Sequence, residues 1–105
     1  MINVKYDREK LILKMKGHAD FANKGEDIIC ASASILAYTL AQNVRYMESA
    51  GVAKDVHIIL EEGNAVIACT PVEESETLLC IYDTITTGFA LLQCNYPDYV
   101  NFIEK

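Results

Sequence analysis

The stretch DIICASASILAYTLAQNVRYMESAG, from Asp27 to Gly51, decides the fold. Within it Ala33, Leu36, Leu40, Val44 and Met47 recur at steps of three and four, which places them on one helical stripe. Asp27 suits the N-cap, because its carboxylate can accept the backbone N–H of Cys30, the third helical residue. Gly51 is the matching stop. The predicted helix, Ile28–Ser49, is long enough to cross a whole small domain.

Working outward, the period changes from helical to alternating. Upstream, Ile2, Val4 and Tyr6 share one face, and Leu11, Leu13 and Met15 share another, with Lys10, Lys14 and Lys16 pointing away. Asp7-Arg8-Glu9 between them predicts two antiparallel strands joined by a short turn. Residues 17–27 lack periodicity and predict a loop. Downstream, Val56, Ile58 and Leu60 alternate, Glu61-Glu62-Gly63-Asn64 supplies a turn, and 65–70 returns. Thr70-Pro71-Val72-Glu73 has the form of a capping box with proline at the first helical position. It predicts a second helix with Leu78, Ile81, Ile85, Phe89 and Leu92 as its buried stripe. Thr84, Thr86, Thr87 and Gly88 weaken local propensity, so that helix must rely on packing. Asn95 and Pro97 end it, and 99–103 closes the chain as a strand.

The order is therefore ββαββαβ, an α+β fold with two long amphipathic helices on one face of a mainly antiparallel sheet. Ile12, Ile59, Ile67 and Ile103 are expected on the other face, which points to a homodimer partner or extra packing there. With 105 residues, 51% hydrophobic and 23% charged, the chain is one domain, 1–105, with neither the composition of disorder nor that of low complexity. A net charge of −6 argues against direct nucleic-acid binding, which needs a basic face. The longest uncharged stretch, residues 28–44, falls short of the roughly 20 apolar residues of a membrane span.

Four cysteines, Cys30, Cys69, Cys80 and Cys94, are present, and no CxxC pair offers metal-ligand spacing, so neither metal nor cofactor is expected. Met1-Ile2-Asn3-Val4-Lys5 lacks the order of a signal peptide, so a cytoplasmic location and reduced thiols are expected. Cys69, Cys80 and Cys94 are expected as small buried hydrophobes. Cys30 differs, because a helix N-terminus favours an anion and lowers a thiol's pKa. The N–H groups there also suit an oxyanion. His18 follows Gly17 at a strand end, twelve residues before Cys30, where side chains tend to be displayed. His57 alternates out of the apolar phase and is expected in solvent. By position alone a structural Cys30 is the commoner outcome. Ser34, one turn beyond Cys30, and Asp27 at the cap add polar neighbours.

Gly17-His18-Ala19, a glycine-containing loop, and then Asp27-Ile28-Ile29-Cys30-Ala31-Ser32-Ala33-Ser34 resemble the signature of the ribosomal-processing cysteine protease family, Prp. The family pattern has Gly-His-Ala, a mobile loop and an Asp-Ile-Val-Cys-Ala run ending in Ser. Carried over, the resemblance implies Cys30 as nucleophile and His18 as general base and acid. It implies Asp27 and Ser34 as supporting polar residues, with Gly17, Gly25 and Ala31 in the loop and oxyanion region. Ile29 replaces the commoner Val, and Ser32 stands where Gly or Ala is usual, putting a hydroxyl near the nucleophile. The implied substrate is the N-terminal extension of a large-subunit ribosomal protein, the twenty-seventh in standard naming. The loop over 20–26 would move aside to admit it. Family precedent also leans toward a homodimer. A non-catalytic ribosome-associated binding module, or a thiol redox sensor at Cys30, are the competing functions.

Overall fold

The computed structural model describes residues 1–19 and 27–105. Its elements are β1 (Ile2–Asp7), β2 (Ile12–Gly17), α1 (Ile28–Ser49), β3 (Ala53–Glu61), β4 (Asn64–Pro71), α2 (Glu76–Asn95) and β5 (Val100–Glu104). The ββαββαβ order and the boundaries of α1 match expectation. The strands form one sheet in the order β3-β4-β2-β1-β5. All neighbours are antiparallel except β1 and β5, which are parallel. Each helix joins strands that are not adjacent in the sheet, and both helices pack on the same face.

The core is the layer between helices and sheet. Ile2, Val4 and Tyr6 of β1 and Leu13 of β2 meet Ala65, Ile67 and Cys69 of β4 there. Alanines at 33, 37 and 41 repeat every fourth residue on the buried side of α1, so its backbone lies close to its neighbours. On α2 the buried residues are Leu78, Tyr82, Ile85, Thr86 and Phe89, with Ile81 and Leu92 only partly covered. Gly88 explains how a weak helix former is tolerated here. A Cβ at that position would lie 2.6 Å from Leu36 Cδ2, so the missing side chain is where α1 enters α2. The threonines are satisfied locally: Thr84 Oγ1 donates to the Cys80 carbonyl and Thr87 Oγ1 to that of Asp83. By length and composition α2 could cross a membrane, but its apolar stripe is already committed to the core.

Three sequence expectations are corrected. Pro71 ends β4 instead of opening α2. It stands opposite Ala53 beyond the last β2–β4 pair, where the ladder needs no second donor. The helix begins at Glu76, capped by Ser75, whose Oγ accepts the Leu78 N–H at 3.3 Å. Leu11 precedes β2 in a left-handed conformation (φ 53°), though it is buried. Ile67 is fully buried between Leu13 and Ile58, on the helix side of the sheet. The uncovered face instead carries Lys5 directly opposite Lys14, with Lys16 two residues on. Ile12 and Ile59 are half-buried there, and Ile103 is exposed.

Candidate active site

The site begins with the capping of α1. Asp27 is extended (φ −77°, ψ 95°), and its Oδ1 accepts the N–H groups of Ile29 and Cys30, both at 3.0 Å. Its carbonyl accepts the Ala31 N–H at 3.1 Å. These bonds fix Cys30, half-buried, in the first helical turn. From the other side, the buried Ala19 donates its N–H to Cys30 Sγ at 3.4 Å. The sulfur is thus held between a helix start and the chain leaving β2, with a donor aimed at it. A donor so placed stabilises negative charge that develops at or beside the sulfur.

His18 lies between those anchors. The Gly17 N–H donates to the Gly63 carbonyl at 3.0 Å, one step beyond the Lys16–Asn64 pair of the β2–β4 ladder. The His18 carbonyl accepts from the Met1 nitrogen at 2.6 Å. The imidazole is exposed and lies against Gly63 in the β3–β4 turn. A cavity of about 580 Å³ opens here. His18, Cys30, Asp27, Ser34, Gly17 and Ala31 all line it. Ile2, Met15, Ala33 and Ala37 give it an apolar floor, Tyr38 and Leu60 an apolar wall, and Glu61 and Glu62 an acidic rim. The hydrogen bonds among the described residues include none between the Cys30 thiol and the His18 imidazole. Catalytic bonds of this kind often close only around substrate.

Six of the seven site residues named from sequence therefore share one cavity. Gly25 and the loop over 20–26 lie outside the described residues. Ala31 lines the cavity, but its N–H is engaged by Asp27, as are those of Ile29 and Cys30. Ser32 does not crowd the nucleophile, because its Oγ donates back to the Ile28 carbonyl at 2.6 Å. Sequence reasoning missed Ala19, Tyr38, Leu60, Glu61 and Gly63. Ala19 carried a signal as the residue after His18, and Tyr38 as the residue one turn beyond Ser34 on α1. Leu60, Glu61 and Gly63 reach the site through the β3–β4 hairpin, whose position only strand pairing sets.

The remaining cysteines divide differently from expectation. Cys69 is buried beside the Tyr82 hydroxyl (3.6 Å), and burial pushes its thiol up from the ordinary value. Cys80 and Cys94 are exposed on α2, not buried, because they fall off its apolar stripe. His57 is exposed, as expected. Among the described residues no group of His, Cys, Asp and Glu is placed to hold a metal ion.

The family model of the cysteine protease Prp matches residues 1–101. The chain belongs to this family of cysteine proteases. Solved structures carry the same fold. The ribosomal processing protease Prp from S. aureus with a covalently linked product peptide superposes with a TM-score of 0.75 at 20% identity, covering 99% of this chain and 97% of that one. The same S. aureus protease with a substrate peptide gives 0.70 at 19% identity, again covering 99% and 97%. SMU.848 from Streptococcus mutans gives 0.68 at 20% identity over 98% and 90%. No curated protein sequence matches the chain.

Proposed function

We propose that this protease removes the N-terminal extension of a large-subunit ribosomal protein, the twenty-seventh in standard naming, with Cys30 as nucleophile and His18 as general base and acid. The observation that carries this is the placement of Cys30 Sγ under the Ala19 N–H, in one cavity with His18. His18 takes the thiol proton as Sγ bonds to the scissile carbonyl carbon, and returns it to the amine as the C–N bond breaks. Water then attacks the thioester, giving its proton to His18, and the carboxylate product leaves as the thiol is restored. The Ala19 N–H beside Sγ and the N-terminal end of α1 face the position where the oxyanion develops and take the oxyanion role. Asp27 acts by holding the helix start, and Ser34 supplies a hydroxyl one turn deeper. No cofactor takes part.

The cavity suits an extended peptide with both apolar and basic side chains. Tyr38, Leu60 and Met15 offer apolar contact, while Asp27, Glu61 and Glu62 favour positive charge. We place the enzyme in the cytoplasm and take it to act as a homodimer. Lys5, Lys14 and Lys16 make the open sheet face a poor self-complementary surface. Ile28, Ile35 and Tyr46, exposed along one side of α1, are the better support for self-association.

The test is incubation with the extended ribosomal protein and mass analysis of the product. Shortening by the wild-type chain, lost in both Cys30→Ala and His18→Ala, is expected. Cleavage that survives both substitutions sinks the assignment. Sedimentation as a monomer would reject the dimer.

A further inference from the structure

The turn between β3 and β4 is closed by the Glu61–Asn64 pair, which leaves Glu62 and Gly63 as its two central residues. Gly63 has φ +72°, a left-handed conformation that glycine adopts freely and asparagine tolerates. Backbone conformation is only half of what this position requires. A Cβ there would lie 2.8 Å from His18 Nε2, 3.4 Å from Cε1 and 3.6 Å from Cδ2. Its three nearest neighbours are thus atoms of one imidazole. The same turn is fastened to the residue preceding His18 by the Gly17 N–H to Gly63 carbonyl bond. Turn and histidine therefore hold a fixed relation, with the ring resting where a side chain would otherwise stand.

Gly51 supplies a contrast inside the same chain. It has nearly the same backbone (φ +77°), yet a Cβ there meets nothing within 4 Å. Substitution at either position pays a similar conformational penalty. Only at Gly63 does a side chain also meet the imidazole. Because Nε2 is the far end of an exposed side chain, the ring yields before the fold does, and it yields by leaving its place in the cavity.

We propose that Gly63 is a positioning residue for catalysis: its bare α-carbon is the seat that keeps the His18 imidazole directed into the Cys30 cavity. The proposal rests on His18 being the proton-transfer partner of Cys30. A displacement of about 1 Å at a reacting group costs on the order of 100-fold in rate. A role in the turn alone would lower stability and leave the chemistry untouched.

The experiment compares Gly63→Ala and Gly63→Asn with Gly51→Ala and Gly51→Asn in the full chain. Unfolding midpoints, kcat and KM on the extended ribosomal protein, the pH profile of kcat/KM, and the His18 ring resonances are measured. The Asn variants keep the turn accessible should Ala fail to fold. Expected are similar losses of stability at the two positions, with kcat reduced roughly 10- to 100-fold only at position 63. KM stays within about twofold, as for a loss confined to the chemical step. The His18 ring resonances, identified by their absence in His18→Gln, and the acid limb of the profile move only in the Gly63 variants. A Gly63→Asn enzyme with unchanged kcat and unmoved His18 resonances overturns the seat. Full cleavage by His18→Ala instead overturns the underlying dyad. The ring resonances still report in that case whether Gly63 holds the imidazole.

Discussion

Cys30 and Cys69 share a side chain and differ in everything around it. Cys69 faces the core from β4, 3% exposed, with the Tyr82 hydroxyl beside it and burial opposing its ionisation. Cys30 stands half-buried at a helix start, with a backbone donor on its sulfur and a histidine in the same cavity. The first environment excludes water and charge, so the thiol serves as packing. The second supplies access, a donor and a neighbouring imidazole. The strand end and helix start place backbone donors and polar side chains around an accessible sulfur.

The largest effect that can break the comparison is on turnover. Cys30→Ala is expected to lower cleavage by at least about 1,000-fold, as removal of a nucleophile does, while shifting the denaturation midpoint little. Cys69→Ala should do the reverse, costing roughly 1 kcal/mol of stability for the lost buried volume and keeping cleavage near wild type. Parallel cleavage and urea-denaturation assays check both. A Cys69→Ala enzyme that folds but cannot cleave would erase the distinction.

A smaller effect tests how the reactive end is held. Asp27→Ala removes the acceptor shared by Ile29 and Cys30 and should cost about 1 kcal/mol, the usual value of an N-cap. Cleavage should fall with it, because the turn that carries Cys30 loses its anchor. Amide exchange at Ile29 and Cys30 should quicken while exchange near the middle of α1 does not. Uniform quickening along the helix would mean that the cap acts on the whole fold.

The smallest effect belongs to the buried end. Tyr6 and Tyr82 are stacked at 5.8 Å between ring centroids, and burial pushes both phenols well above their ordinary value. For Tyr6 the Asp83 carboxylate adds to the effect. Folded pKa values raised above unfolded ones mean that the unfolded chain releases these protons first. Stability is therefore independent of these groups at neutral pH. It falls as pH rises past the ordinary values of about 9 for Cys69 and 10 for the tyrosines. Thermal melts from pH 7 to 10.5 should show a flat limb and then a decline, less steep in Tyr82→Phe. An equal decline in that variant would remove Tyr82 as a cause.

The two ends also differ in how much of them was legible in the sequence. Alternation and helical period depend on which residues face a common core, so β1, α1 and the order of elements follow from apolar spacing. The capping of Cys30 by Asp27 was legible because it spans three residues. Pro71 misled, since proline suits both a strand end and a helix start, and only the cross-strand partner distinguishes them. Ile67 misled because one strand's phase gives two faces without saying which is covered.

By itself, the sequence determined the order of the elements and the N-cap at Asp27, and it offered His18 and Cys30 as candidates for thiol proteolysis. These are local properties, set by side-chain type and spacing along the chain. Tertiary structure alone decided the strand order, the parallel β1–β5 pair, the Ala19 donor on Cys30 and the seating of His18 on Gly63. Each joins residues through sheet pairing or chain reversal, and no periodicity in the sequence records which strand will be a neighbour.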